Sequence, residues 1–152
     1  MQRSIDTIAN FKPGQILYIE HQGVRLYAEV IQIVSDRKLC WVRPLALVTP
    51  TSIPTASASP HFPTPWTSSL IELEPIEVYD LRQGADLVCP QSLFQAALDT
   101  EVLPILAELN RLKPRSDTSG LGENNGAHER LREFVRLVWQ TNPTLFNSRL
   151  FN

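Results

Sequence analysis

The sequence predicts an α+β fold, a small twisted β-barrel followed by α-helices. Three observations carry this expectation. Residues Phe11 to Val48 hold three strand-like runs joined by two tight turns. From Leu93 to Leu112 the apolar residues change to helical spacing, and a second amphipathic stretch follows at Ala127–Gln140. A period of two early in the chain and of 3.6 later separates strand from helix.

Asn10 to Gly14 reads as an entry turn, because Pro13 fixes φ and Gly14 tolerates backbone angles that other residues avoid. Ile16–Glu20 is the first strand, and His21-Gln22-Gly23 turns the chain. Val24–Val34 is the second. It sets Val24, Leu26, Ala28 and Val30 on one face and Arg25, Tyr27 and Glu29 on the other. Beyond Val30 the apolar set moves to Ile31 and Ile33, which predicts a bulge there, since one extra residue exchanges the faces. Ser35–Lys38 is a polar turn, and Leu39–Arg43 is the third strand. Pro44 has no N–H to give a ladder and marks an edge or that strand's end.

Thr49–Thr67 has five prolines and no charged residue, a composition that favours an extended loop over a packed element. Strand character resumes over Ser69–Arg82, where Leu70, Leu73, Ile76 and Val78 are interleaved with Glu72, Glu74 and Glu77 around Pro75. Gln83-Gly84 turns the chain, and Ala85–Cys89 forms a last short strand. Pro90 suits the first turn of a helix. Phe94, Ala97 and Leu98 fall on a first helix ending near Asp99. Pro104 separates it from a second, which starts near Thr100–Val102 and stops at Pro114. Arg115–Gly126 is a linker by composition. In the final helix Leu131, Phe134, Val135 and Val138 form one stripe with Trp139 beside it.

The chain has 152 residues and a formal net charge of −2, which bounds it to one domain, or one small domain with an appendage. Residues 1–48 carry six basic and four acidic side chains, residues 49–90 one and five. No overall field for a phosphate backbone results, although Arg25, Arg37, Lys38 and Arg43 make a local basic face. No run of eighteen apolar residues occurs, and MQRSIDTIAN lacks an apolar signal stretch. A soluble, cytoplasmic protein is expected. Cys40 and Cys89 form no CxxC motif, and His21, His61 and His128 are scattered, so no metal site and no cofactor are implied.

The opening Phe11-Lys12-Pro13-Gly14-Gln15, followed by Ile16–Ile19 and the long strand RLYAEVIQIV, resembles SH3-like barrels, a group that includes ribosomal, translation-factor and photosynthetic-complex modules. CWVRPLALV, DLRQGADLVCP and LREFVRLVWQTNP resemble a family of small uncharacterised cyanobacterial proteins, a likeness that implies no functional residues. The resulting organisation is an N-terminal extension (1–10), an SH3-like β-barrel (11–89) with a Pro/Ser/Thr-rich loop (49–67), a helical pair (90–113), a linker (114–126), and a C-terminal amphipathic helix and tail (127–152).

Several groups invite a chemical reading. Cys40, between Leu39 and Trp41 in a strand, reads as a packed core thiol. Cys89 beside Pro90 lies near an expected helix N-terminus, which would lower its pKa, yet it sits in no nucleophile motif. Of the acidic set Glu72, Glu74, Glu77 and Asp80, alternation places Glu72 and Glu74 on one solvent face, and the set reads as a solvated edge that resists edge-to-edge association. Pro60-His61-Phe62-Pro63 fits a loose PxxP pattern within a proline-rich background. Tyr18, Tyr27 and Trp41 with Arg25 and Arg43 would make a face that stacks bases and binds phosphates. The stripe at 127–140 suits packing on its own barrel, or, tethered by the linker, docking in a partner's groove.

With no phosphate loop, metal cluster or nucleophile motif, an enzyme is not expected. The expected function is a non-catalytic protein-interaction or assembly module of a larger complex, with Arg25, Trp41, Arg43 and Trp139 as the partner-binding residues. The alternative is a small barrel associated with RNA or single-stranded DNA.

Overall fold

A computed structural model of the chain describes residues 10–50, 76–112 and 123–146. The strands are β1 (Ile16–His21), β2 (Val24–Val34), β3 (Leu39–Pro50), β4 (Ile76–Asp80), β5 (Leu87–Pro90) and β6 (Gln95–Ala96). Two helices follow, α1 (Asp99–Arg111) and α2 (Glu123–Thr141). The strands form one antiparallel sheet in the order β4-β3-β2-β1-β6, with β5 also paired to β3.

The β1–β2 turn needs only Gln22 and Gly23, both at positive φ (50° and 80°). That pairing of angles matches the right-handed twist of the flanking strands. Gly14, at φ 84°, makes the entry turn, and its N–H bonds to the Val30 carbonyl at 2.8 Å. β2 has the predicted bulge: Val30 pairs Val42 and Gln32 pairs Trp41, leaving Ile31 over.

β3 corrects the expectation that Pro44 ends the third strand. The strand runs on to Pro50. Ala28 pairs Pro44 and Tyr27 pairs Ala46, so Leu45 is an extra residue at a second irregularity. A bulge is where a strand accepts proline. The resulting bend divides β3. Its first half pairs β5 over Leu39–Val42, and its second half pairs β4 over Ala46–Pro50.

The helical pair is also corrected. Residues 91–93 form a single 3-10 turn, Phe94 is extended, and Gln95–Ala96 is the short strand on β1. Phe94 is buried in the sheet's core, and that burial outweighs the helical spacing of its neighbours. The helix that does form begins at Asp99 and runs through the exposed Pro104. Proline there removes one intrahelical bond, to the Thr100 carbonyl in the first turn.

Strand alternation gives the sheet two apolar faces. On the inner face Leu17, Ile19, Leu26, Ala28, Val30, Cys40, Val42 and Leu47 pack with Leu81, Cys89 and Phe94, and α2 covers them with Leu131, Phe134 and Val138. On the outer face Tyr27 and Ala46 pack with Val102, Ile105 and Leu109 of α1. The stripe of α2 is therefore core of its own domain, which answers the tethered-helix alternative. α2 begins at Glu123, inside the expected linker.

From β5 the chain passes through the 3-10 turn to β6, which lies on β1. No ladder among the described residues closes the sheet into a barrel. No described helix is long and apolar enough to cross a membrane. The Pro/Ser/Thr-rich loop beyond Pro50, the PxxP pattern, Glu72, Glu74 and the N-terminal extension before Asn10 lie outside the described residues.

Candidate interaction surface

The structure divides the four sequence-selected residues into three places. Arg25, Trp41 and Arg43 lie on the outer face of the sheet, and Trp139 lies on α2. Arg25 and Arg43 are separated along the sheet, because Arg43 pairs Glu29, four residues from Arg25 on β2. At strand rise this is about 13 Å.

Arg25 is enclosed by local partners. Its Nε donates to Glu20 Oε2 at 2.7 Å, and Nη1 faces Glu101 Oε1 of α1 at 3.4 Å. The guanidinium lies over the Tyr18 ring, 4.6 Å from its centroid. Tyr27 beneath α1 donates its hydroxyl to the same Glu101 oxygen at 2.9 Å. Burial pushes the Tyr27 phenol up from its ordinary pKa, which keeps the hydroxyl protonated and donating. This cluster fastens the β1–β2 hairpin to the first turn of α1. It combines the aromatic and basic groups expected of a stacking surface, but Tyr27 is buried and the guanidinium already faces two carboxylates.

Trp41 and Arg43 are brought together by a residue that sequence reasoning passed over. The Trp41 indole N–H donates to Asp86 Oδ2 at 3.1 Å, and Arg43 Nε donates to Oδ1 at 3.2 Å. Asp86 stands just before β5, where the register brings it level with Arg43. Trp41 and Arg43 are two apart on one strand face, and a shared carboxylate across the ladder would satisfy both. That spacing was the available signal. Trp41 is 38% exposed, and its cross-strand neighbour Val88 is 42% exposed. α1 covers the β4 side of the outer face and leaves this end open. The result is an aromatic–aliphatic pair held in one orientation, with an ion pair beside it.

Trp139 stacks on Phe146 with centroids 4.6 Å apart. With Val138, Phe134 and Cys89 they line a small apolar crevice where α2 meets the sheet. Trp139 thus lies on the other face from Trp41.

Both cysteines are buried. Burial pushes Cys40 up to about 11 and Cys89 up to about 12. Cys89 is on β5, before a 3-10 turn rather than a helix, so its environment raises the thiol instead of lowering it. Of the acidic set, Glu77 is exposed on β4, and Asp80 holds Arg82 at 2.8 Å. Among the described residues no group of three His, Cys, Asp or Glu is placed to hold a metal ion. No family model, curated protein or solved structure matches the chain.

Proposed function

We propose that this chain is a non-catalytic protein-interaction module, built on an SH3-like small barrel, whose outer β3–β5 face docks a protein partner of a larger assembly. The observation that carries the reading is Trp41. It is a large aromatic side chain left partly exposed, yet oriented by a hydrogen bond and flanked by an exposed Val88 and a fixed Arg43. Preorganised aromatic and arginine side chains are the common anchors of protein interfaces.

The strand order supports the barrel reading. A three-stranded meander bends at two bulges, β5 pairs the first half of β3, and a 3-10 turn returns the chain to β1. The raised thiols and the carboxylate-paired arginines favour packing and docking over nucleophilic catalysis or phosphate binding.

The test is purification of the tagged full-length protein from its native cells, with and without nuclease. A stoichiometric protein partner that survives nuclease supports the reading. Partners that vanish with nuclease overturn it in favour of the nucleic-acid alternative.

A further inference from the structure

Two thiols oppose each other across the β3–β5 ladder. Cys40 pairs Cys89 directly in the register, both belong to the inner core, and both are free. Gln91 N–H donates to the Lys38 carbonyl two rungs along, so Cys40 and Cys89 form a hydrogen-bonded pair with Cα atoms about 5.5 Å apart, within the roughly 4.4–6.8 Å that a disulfide spans. Opposed side chains also point to the same face, so the two sulfurs share one compartment. Their Cβ atoms need to approach by about 1–2 Å to be linked.

The two strands are unequally held. β3 pairs β2 along its length, whereas the four residues of β5 have β3 as their one strand partner among the described residues. β5 is therefore the strand that adjusts. Cys89 is also the more accessible thiol, 5% exposed against 0% for Cys40, and it lines the crevice beneath Trp139 and Phe146.

We propose that Cys40 and Cys89 are a redox-sensitive pair, and that a low-molecular-weight disulfide oxidises them to a bond that ties β5 to β3. The Cys89 thiol gives up its proton, and the thiolate attacks one sulfur of the oxidant. A mixed disulfide forms, and the first small thiolate leaves and takes up a proton. The Cys40 thiolate then attacks the Cys89 sulfur. The protein S–S bond forms, the mixed S–S bond breaks, and the second small thiolate leaves and is protonated. Two protein thiols are oxidised while one small disulfide is reduced to two thiols. Thiolate is the attacking form, so the reaction is slow at neutral pH and accelerates as pH rises. The next rung of the ladder carries Trp41 and Val88 on the opposite face, and the link holds that pair in register as well.

The test uses the folded full-length protein in glutathione buffers of graded oxidising strength at mildly alkaline pH, with a parallel series in urea. Samples are acid-quenched, alkylated in denaturant and weighed intact. The expected product carries no alkyl group, is about 2 Da lighter than the dithiol, and yields a Cys40–Cys89 cross-linked peptide. In the folded protein it forms in a buffer at least about tenfold less oxidising than in urea, and it raises the thermal midpoint by about 5 °C. Three results overturn the proposal: two alkylated thiols in every buffer, glutathione adducts without the internal bond, or conversion in urea at equal or weaker oxidising strength.

Discussion

Trp41 stands directly opposite Val88 on the β3–β5 ladder, and both project from the outer face at the end that α1 leaves uncovered. Their orientation depends on Asp86. Asp86→Ala releases the Trp41 indole N–H and the Arg43 guanidinium together. The fold should hold, with a change within about 1 kcal/mol, because the ion pair is partly exposed. The indole N–H of Trp41 should exchange with solvent faster, which NMR reads directly. Unchanged exchange would mean that Asp86 does not position the indole.

Arg82 joins the turn after β4 to the end of α1. It bonds both oxygens of Asp80, and its Nη2 donates to the Leu109 carbonyl at 3.0 Å. That carbonyl is in the last turn of α1, where carbonyls lack intrahelical partners and a cation is favoured. Arg82→Ala should lower stability by about 1–2 kcal/mol, measured by urea unfolding near neutral pH.

The same pair sets an acid limit. Burial alone would raise the Asp80 carboxyl, but the Arg82 side chain and backbone N–H outweigh it and hold the group below its ordinary 3.8. A depressed carboxyl contributes its full stability above the unfolded value and loses it as pH falls through the lower folded value. The gap between wild type and Arg82→Ala should therefore be largest above about pH 4 and narrow below it. A gap constant across that range would exclude the linkage.

Gly84, in the turn before β5, packs against α2. A Cβ placed there would lie 2.7 Å from His128 Cε1 and 3.4 Å from the Leu81 carbonyl. Gly84→Ala should destabilise by less than about 1 kcal/mol, because the half-buried His128 ring can turn aside at a small cost. Adding His128→Ala should recover part of that loss, and a double-mutant cycle measures the recovery. Strict additivity would show that the two residues do not meet.

Phe134 carries the attachment of α2. It is buried in the inner core and meets the His21 ring edge-on at 6.5 Å. Phe134→Ala should cost about 3–5 kcal/mol, a large share of a small domain's stability. A loss below about 1 kcal/mol would mean that α2 is peripheral to the fold.

How far these features were legible in the sequence depended on whether local pattern and tertiary demand agreed. The Gln22-Gly23 turn and the bulge at Ile31 were readable because positive φ favours glycine and a phase change in the apolar residues signals an extra residue. Pro44 misled, because a proline's cost to a ladder is visible in sequence while the bulge that accommodates it is not. Phe94 misled in the opposite way: its spacing fits a helix, but its burial serves the sheet. Trp41 and Arg43 could be chosen for their chemistry alone. Asp86 could not, because its role comes from a register formed across forty residues of chain.

The role proposed for the Trp41–Val88 face is to dock a protein. The most direct measurement is a parallel purification of wild type and Trp41→Ala from nuclease-treated native cells, with both folds verified by thermal unfolding. A stoichiometric partner is expected on wild type and should fall at least about tenfold on Trp41→Ala, in keeping with an aromatic anchor, while both proteins remain folded. Equal recovery of the partner by the two proteins would contradict it and place the interface elsewhere.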